Sequence, residues 1–297
     1  YNFPRKAYRV TVYGVEIFAH KPAADTFTQA ADFLGRDYVP GADLWKMFVV
    51  GHLFDEFETE ATLETNRLDL AVEAEAGRCH LRGLIVRPAG DPEAGRAFAK
   101  IQADRRRTFL EHWREIKPAD GSRPVKPTAE ERRRGFMLAY RNYLEEITPY
   151  FVPGPGDRLK RLSIAAAPGQ IEPAVFIVYP LKKLSEAEVT VTALRGPGGV
   201  IPASSVRVKY VHFRYARDGE DAYRVMRGHL VPRSRAPLCA NVPRQFWLDV
   251  HVPDDARAGE YRGEDTVKAG PQTVRFPLTV QVYPFRLDAP AEHRIVY

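Results

Sequence analysis

Apolar and polar residues alternate through the C-terminal half of the chain with a period of two, the spacing that places every second side chain on one face of a β-strand. In the clearest segment, TVRFPLTVQVYPF, one face carries Val274, Phe276, Leu278, Val280 and Val282. The segments PAVFIVYP, EVTVTAL, VRVKYVHFRY and RQFWLDVHV show the same alternation or a continuous apolar run. Strands of this kind with turns about every 8 to 12 residues are typical of a β-sandwich.

The first part of the chain also alternates, but over fewer segments. AYRVTVYGVEIFAH predicts a hairpin that turns at Tyr13–Gly14, and FETEATLE, RLDLAVEAE and CHLRGLIVRP predict further strands. Because a sheet of about five strands normally needs more strands to cover its second face, we expect the sequence to open inside a sandwich whose first strands lie elsewhere.

The segment between these two parts has a helical period. DPEAGRAFAKIQADRRRTFLEHWREIK predicts a helix that starts at Asp91–Pro92. Thr128 opens a capping box, T-A-E-E, which predicts a second helix to about Ile147. The predicted fold is therefore mainly β, with two β-sandwich domains (jelly-roll or immunoglobulin-like) joined by a helical connector. The predicted limits are 1–90 and 156–290 for the sandwiches, 91–155 for the connector, and 291–297 for the start of a further domain.

The stretch PDDARAGEYRGE lies between two of the predicted C-terminal strands. Immunoglobulin-like sandwiches place a Tyr near the start of their sixth strand, and its hydroxyl bonds back to the upstream backbone. Tyr261, with Asp254 in the preceding turn, is the candidate for this structural corner. Gly263 stands where an antibody domain has a Cys, so no disulfide is expected behind it.

Composition and charge narrow the class of protein. The chain has 297 residues, of which 44% are hydrophobic and 28% charged, which is typical of folded globular domains. It contains no apolar run of about 18 residues, so we expect no membrane span. The net charge is +6, but Arg105–Arg107 and Arg132–Arg134 stand beside acids on predicted helices. We interpret both runs as solvated helix faces with i,i+4 partners, and predict no nucleic-acid partner.

No motif for catalysis or metal binding is present. The eight His are scattered, and neither HExxH, GxSxG nor a P-loop occurs. Cys79 and Cys239 lie far apart and are interpreted as buried thiols, with one long-range disulfide as the alternative. Asp254–Asp255 suits a turn, and Glu145–Glu146 ends a predicted helix. The sequence therefore predicts no catalytic residue, no metal and no cofactor.

A loop rich in aromatic and hydrogen-bonding residues gives the best candidate for ligand binding. A sugar ring offers an apolar face and a rim of hydroxyls, which flat side chains and bidentate hydrogen-bonding groups can match. The alternative is a loop whose Trp packs onto its own sandwich or against the helices. The candidate carbohydrate ligands are Arg36, Asp37, Tyr38, Asp43, Trp45 and His52.

Several sequence segments, taken in their order along the chain, resemble segments of one protein family. APGQIEPAVFIVYPLKKLSEAEVTVTALRGPGGVIPASSVRVKYV, NVPRQFWLDVHVPDDARAGEYRGEDTV and FPLTVQVYPFRL resemble the sandwich that precedes the catalytic barrel in glycoside hydrolase family 123-like proteins. DYVPGADLW and HLRGLIVRPA resemble the galactose-binding-like or malectin-like module often found upstream. The resemblance implies an exported bacterial protein with an Asp–Glu pair in a barrel. That pair has no counterpart here, and Glu264–Asp265 has the reverse order and lies in the sandwich.

From the resemblance we expect an accessory, carbohydrate-associated region of a secreted, periplasmic or cell-surface glycoside hydrolase-like protein. It would scaffold a downstream catalytic barrel and bind glycan through the loop. The alternative is an extracellular structural protein that self-associates through exposed edge strands, such as those of the first hairpin, without binding sugar.

Overall fold

A computed structural model describes residues 8–20, 37–48, 58–63, 65–74, 84–118, 124–218 and 222–287. The chain forms two compact units: Tyr1–Ile116 with Arg214–Arg224, and Lys117–Phe213 with Val225–Tyr297. The predicted mainly β class is confirmed. The domain limits predicted at residues 90 and 155 stay a prediction.

The first unit contains a three-stranded antiparallel sheet, in which Tyr8–Val12 (β1) lies between Val15–His20 (β2) and Leu70–Ala74 (β3). Tyr13–Gly14 turns the predicted hairpin, with both residues at positive φ, and Val10 and Val12 of the central strand are buried. A short fourth strand pairs in parallel with Ala222–Arg224. The elements are β1 (Tyr8–Val12), β2 (Val15–His20), β3 (Leu70–Ala74), β4 (Arg114–Ile116), α1 (Leu44–Phe48) and α2 (Pro92–His112).

The helix predicted at Asp91–Pro92 is confirmed as α2. The Asp91 carboxylate accepts hydrogen bonds from the backbone N–H groups of Glu93 and Ala94, and Pro92 occupies the first helical position. No residue of α2 is buried. Its apolar residues Ile101 and Leu110 are exposed.

Two predicted strands of the first half were wrong in their described parts. Residues 58–63, from FETEATLE, and 84–88, from CHLRGLIVRP, belong to no helix or strand. Leu84, Ile85 and Val86 are all exposed. Their apolar run therefore has no neighbouring strand in the described part of the chain that would pair with its backbone and bury its side chains.

The second unit is a sandwich of two sheets. Its elements are α3 (Ala129–Arg134), β5 (Phe136–Ala139), β6 (Leu162–Ala166), β7 (Ile171–Pro180), β8 (Glu186–Val191), β9 (Leu194–Gly196), β10 (Gly199–Ile201), β11 (Val206–Arg217), β12 (Ala222–Val231), β13 (Arg235–Pro237), β14 (Arg244–His251), β15 (Gly259–Ala269) and β16 (Gln272–Val282), with 3₁₀ turns at Pro155–Asp157 and Ala203–Ser205. One sheet has the order β12-β11-β14-β7-β5, and the other has the order β10-β9-β15-β16-β6, with β8 pairing β15 and β13.

Alternating side chains from both sheets close the core of this sandwich. Phe176 of β7 lies between Phe246 of β14, with ring centroids 5.5 Å apart, and Phe276 of β16, at 5.1 Å. The predicted inward face of β16 is confirmed, since all five of its apolar residues belong to the core or pack against it. Each fully buried Phe stabilises the fold by about 2 to 3 kcal/mol before conformational entropy is subtracted.

The second predicted helix was wrong beyond Arg134. The Thr128 capping box is present, with Glu131 bonded to the Thr128 backbone N–H at 2.7 Å. Gly135 then adopts the left-handed conformation (φ 86°) and ends the helix. Phe136–Ala139 instead pairs with β7 and is buried at every position, and the Leu159 N–H bonds the Leu138 carbonyl on the side of the strand away from β7.

Candidate carbohydrate-binding surface

The loop that carries the predicted ligands folds against its own unit. Tyr38 is buried, and its hydroxyl donates to a Glu115 carboxylate oxygen at 3.3 Å. The Tyr215 hydroxyl lies 3.2 Å from the backbone nitrogen of Val39 and 3.3 Å from its carbonyl oxygen. The Tyr38 ring is thus enclosed by protein and offers no face to a sugar.

Six aromatic rings run in series through this part of the first unit. Trp45 meets Phe109 edge-on at 5.5 Å, and Phe109 stacks on Trp113 at 5.3 Å. The series continues from Trp113 to Tyr223 at 6.3 Å, from Tyr223 to Tyr215 at 5.8 Å, and from Tyr215 to Tyr38 at 5.7 Å. The rings link the loop to α2 and to the 214–224 segment; Trp45, Phe109 and Trp113 are partly exposed, whereas the three Tyr rings are buried.

Burial and the carboxylate of Glu115, with the neighbouring Tyr215 and Tyr38 hydroxyls, raise the pKa of Tyr223. Tyr223 therefore stays neutral throughout the physiological range. At the inner end of the aromatic series the Tyr38 and Tyr223 hydroxyls bond Glu115 and the Tyr215 hydroxyl bonds the Val39 backbone, an arrangement that suits a structural role.

The outer end presents charged groups around Trp45. Asp43 bonds the backbone N–H of Lys46 at 3.1 Å at the start of α1, and forms an ion pair with Arg106 at 2.8 Å. The Arg105 guanidinium lies over the Trp45 ring, 5.8 Å from its centroid. Asp43, Trp45, Arg105 and Arg106, which we call the Trp45 surface, combine a partly exposed ring with bidentate hydrogen-bonding groups.

A shallow depression of about 500 Å³ lies on α2 beside this surface and shares Arg106 with it. Its other lining residues are Ala103, Arg107, Leu110 and Glu111. The depression is open to solvent along one helix face.

Of the six residues predicted to bind carbohydrate, the structure brings two together and places two elsewhere, and two lie outside the described residues. Asp43 and Trp45 lie on the Trp45 surface, and Asp37 bonds the backbone N–H of the enclosed Tyr38 at 3.2 Å. Arg36 and His52 lie outside the described residues. Sequence reasoning missed Arg105 and Arg106, although their positions four and three residues before Phe109 place them on the turn facing Trp45.

The predicted structural corner lies in the second unit. The Tyr261 hydroxyl donates to the carbonyl of Arg257, four residues upstream, at 3.1 Å, and the Tyr261 ring is buried. Asp254 is exposed and forms an ion pair with Arg286 at 2.5 Å. The Gly196 backbone approaches the Tyr261 ring so closely that a Cβ there would lie 2.7 Å from it.

Other chemistry is sparse in the described part of the chain. It holds no group of three or more His, Cys, Asp or Glu side chains able to bind a metal ion. Cys239 is a free thiol, and Cys79 falls outside the described residues. None of the described helices combines the length and apolar character needed to cross a membrane.

No protein-family profile matches this chain, and no curated protein does. Among solved structures, a family 123 glycoside hydrolase from Clostridium perfringens is similar over 46% of this chain and 25% of that one, with 13% identity and a TM-score of 0.43. The MyfA fimbrial subunit of Yersinia enterocolitica, in complex with galactose, is similar over 50% and 97%, with 11% identity and a TM-score of 0.26. The CooA pilin subunit of enterotoxigenic Escherichia coli is similar over 50% of this chain and 97% of that one, with 12% identity and a TM-score of 0.26. These scores are too low to carry information about function.

Proposed function

We propose that this chain is the accessory, non-catalytic region of a secreted glycoside hydrolase-like protein. In this proposal the second unit holds a catalytic barrel in place, and the Trp45 surface of the first unit contacts carbohydrate. The resemblance of the C-terminal phrases to family 123-like proteins suggests the class. The observation that carries the scaffolding role is the geometry of the segment that follows β16.

That segment is held firmly where it leaves the sandwich. The Tyr283 backbone N–H bonds the Ala166 carbonyl at 3.0 Å, and the Arg286–Asp254 ion pair holds the chain further on. Tyr283, Phe285 and Leu287 are nevertheless 39%, 52% and 64% exposed. The Tyr283 and Phe285 rings stack on each other at 5.1 Å. An exposed apolar row on an anchored segment supports packing against a neighbouring domain.

The gene sequence beyond residue 297 tests the scaffolding role. A (β/α)₈ barrel of about eight βα units, with an adjacent Asp–Glu pair, is expected to follow. A gene that ends or continues without a barrel contradicts the proposal. The chain itself is expected to leave aryl N-acetylhexosaminides unhydrolysed, and turnover by the pure chain would contradict its non-catalytic role.

A glycan array tests the carbohydrate contact at the Trp45 surface. We expect the chain to bind neutral glycans and Trp45→Ala to weaken that binding about tenfold or more, since a contacting aromatic ring contributes at least about 1.4 kcal/mol. Phe285→Ala is the matched control, because it removes an exposed ring from the other unit and should leave glycan binding unchanged. Equal binding by both variants, with unchanged circular dichroism, would refute the contact.

One observation favours the alternative of a structural assembly protein. Among the described residues, strand β2 is an edge of the first unit's sheet, and its first residue, Val15, is 66% exposed. An edge of this kind can accept a strand from another chain. Size-exclusion chromatography with light scattering distinguishes the two functions: assembly that grows with concentration, together with an empty glycan array, would favour the structural role.

A further inference from the structure

One end of the second unit gathers basic residues from three separate segments of chain. The first two segments meet where β5 begins and β7 ends. Phe136 lies opposite Pro180 in the antiparallel pair, and the Leu181 N–H bonds the Gly135 carbonyl at 2.9 Å. The aliphatic stem of Lys182 crosses Gly135 so closely that a Cβ on this glycine would lie 2.3 Å from Lys182 Cε. The C-terminus of α3 and the Lys182–Lys183 pair are therefore neighbours.

The third segment reaches the same end from the other side of β5. The Leu159 N–H bonds the Leu138 carbonyl at 3.1 Å, and Tyr140 N–H bonds the Asp157 carbonyl at 2.7 Å. This chain therefore runs antiparallel to β5, and the next residues, Lys160 and Arg161, approach the start of that strand. β6 begins directly afterwards and turns into β7, so the start of β6 and the end of β7 lie at one end of the sandwich.

These segments point their cations outward and their principal acids inward. Glu131 is buried, where it caps Thr128 and pairs with Arg158 at 3.1 Å and Arg134 at 3.9 Å. Asp157 is buried and bound by Arg141 at 2.8 Å. Exposed Glu130 is the remaining carboxylate of α3.

The exposed cations of these segments form no ion pair with a carboxylate in the described part of the chain. We call them the basic end of the sandwich: Arg132, Arg133, Lys160, Arg161, Lys182 and Lys183. Six exposed cations, with Glu130 as the exposed carboxylate of α3 beside them, raise the local positive potential and attract a polyanion.

We propose that the basic end of the sandwich binds a carboxylated or sulfated polysaccharide. Its six side chains can pair with successive anionic groups along a flexible polymer, and arginine recognises carboxylate and sulfate in bidentate geometry. The choice of polysaccharide depends on the proposed association with carbohydrate, whereas the basic surface itself does not.

Two other polyanionic partners fit the surface less well. The segments present no exposed aromatic ring among their described residues on which bases could stack, and α3, with six residues, is short for reading a groove. They also present no large exposed apolar side chain that could insert into a membrane. Recognition therefore relies on ion pairs alone.

Binding of heparin and polygalacturonate, measured by fluorescence anisotropy at several salt concentrations, tests the proposal. The quadruple variant R132Q/R133Q/K182Q/K183Q is expected to bind about tenfold or more weaker at low salt, with a shallower dependence of log Kd on log salt, because fewer counterions are released. The control R195Q/R207Q/R233Q/R257Q removes the same charge from exposed arginines outside the basic end and should change affinity less than about threefold.

The remaining arms separate the alternatives. The quadruple variant R132Q/R133Q/K182Q/K183Q should leave any binding of neutral dextran unchanged, and Trp45→Ala should leave heparin binding unchanged, so failure of the Trp45 surface is distinguishable from failure of the basic end. Equal loss in both quadruple variants would mean that net charge alone is responsible and would overturn the proposal. Tighter binding to a DNA duplex or to phosphatidylserine vesicles, or no binding to either polysaccharide, would also overturn it.

Discussion

The two arginine triplets look alike in sequence but have different surroundings in the two units. In α2, Arg107 pairs with Asp104 at 2.9 Å and with Glu111 at 3.8 Å, and Arg106 pairs with Asp43. In α3, Arg134 turns inward to Glu131, while Arg132 and Arg133 have no carboxylate partner among the described residues. The first run is the solvated, paired helix face that the sequence predicted, and the second is not.

Helix length and capping explain the difference. α2 is long enough for acids three and four residues away to lie on the same surface as its arginines. α3 has one and a half turns, and its second acid occupies the third helical position, where the capping box draws it back toward Thr128. The same local composition therefore neutralises one run and leaves the other exposed. In general, an acid near an arginine in sequence is available as its partner only if no cap or core position uses it.

The largest expected effect concerns an inward-facing acid of the second unit. Asp265 of β15 lies opposite Phe276 of β16 and Val191 of β8. It is fully buried, and neither carboxylate oxygen has a hydrogen-bond partner in the described structure. Burial raises the pKa of Asp265 from 3.8 to about 8. The folded state therefore keeps a proton that the unfolded state releases above about pH 4.

The sign follows from the protons bound in each state. Between about pH 4 and pH 8 the folded state binds more protons, so the free energy of unfolding falls by about 1.4 kcal/mol per pH unit, a total on the order of 5 kcal/mol. We expect Asp265→Asn to match the parent near pH 4 and to be several kcal/mol more stable near pH 8, within this order of magnitude. Urea unfolding followed by circular dichroism at a series of pH values measures the difference in unfolding free energy between Asp265→Asn and the parent.

Glu264→Gln is the matched control for this experiment, since Glu264 is the exposed neighbour on the same strand. It should leave the pH dependence of unfolding unchanged. A constant difference in stability between Asp265→Asn and the parent at every pH would mean that Asp265 does not carry this proton.

A smaller effect compares the inward acid of α3 with an outward acid of α2. Glu131→Gln leaves Arg134 and Arg158 without their buried counter-charge, and should cost about 3 kcal/mol of unfolding free energy. Glu111→Gln breaks an exposed pair with Arg107 and should cost less than about 0.5 kcal/mol. Chemical denaturation of both variants at neutral pH measures the two losses of unfolding free energy. Equal costs in unfolding free energy would show that the acid of α3 is not held inward while the acid of α2 pairs at the surface.

The smallest effect concerns the caps of the two helices. Thr128→Ala removes the bond to the Glu131 N–H at 3.1 Å, and Asp91→Ala removes those to Glu93 and Ala94. Each should lower the free energy of unfolding by about 1 kcal/mol. Similar values, measured by thermal unfolding, would show that the helices differ in the use of their acids and not in the strength of their caps. A cost for Thr128→Ala near that of Glu131→Gln would contradict this.

The fold was more predictable than the candidate surface. Alternating or continuously apolar patterns located β7, β8, β11, β14 and β16 of the second unit and the first hairpin, because the side chains of a β-strand alternate between its two faces. The helix predicted to continue through Phe136–Ala139 failed, since four successive apolar residues fit a buried strand as well as a helix. On the surface, Asp43 and Trp45 were found from residue type alone. Their neighbours Arg105 and Arg106 were not, because more than fifty residues separate them from the loop.

The sequence by itself determined which side chains face inward along β16, and where the caps of α2 and α3 stand. Both depend on residues a few positions apart, and local backbone geometry fixes them. Only the tertiary structure decided that Tyr38 is enclosed, that Asp265 is buried with no hydrogen-bond partner among the described residues, and that three distant basic segments meet at one end of the sandwich. Burial and charge pairing depend on which strands become neighbours, and no local spacing records that.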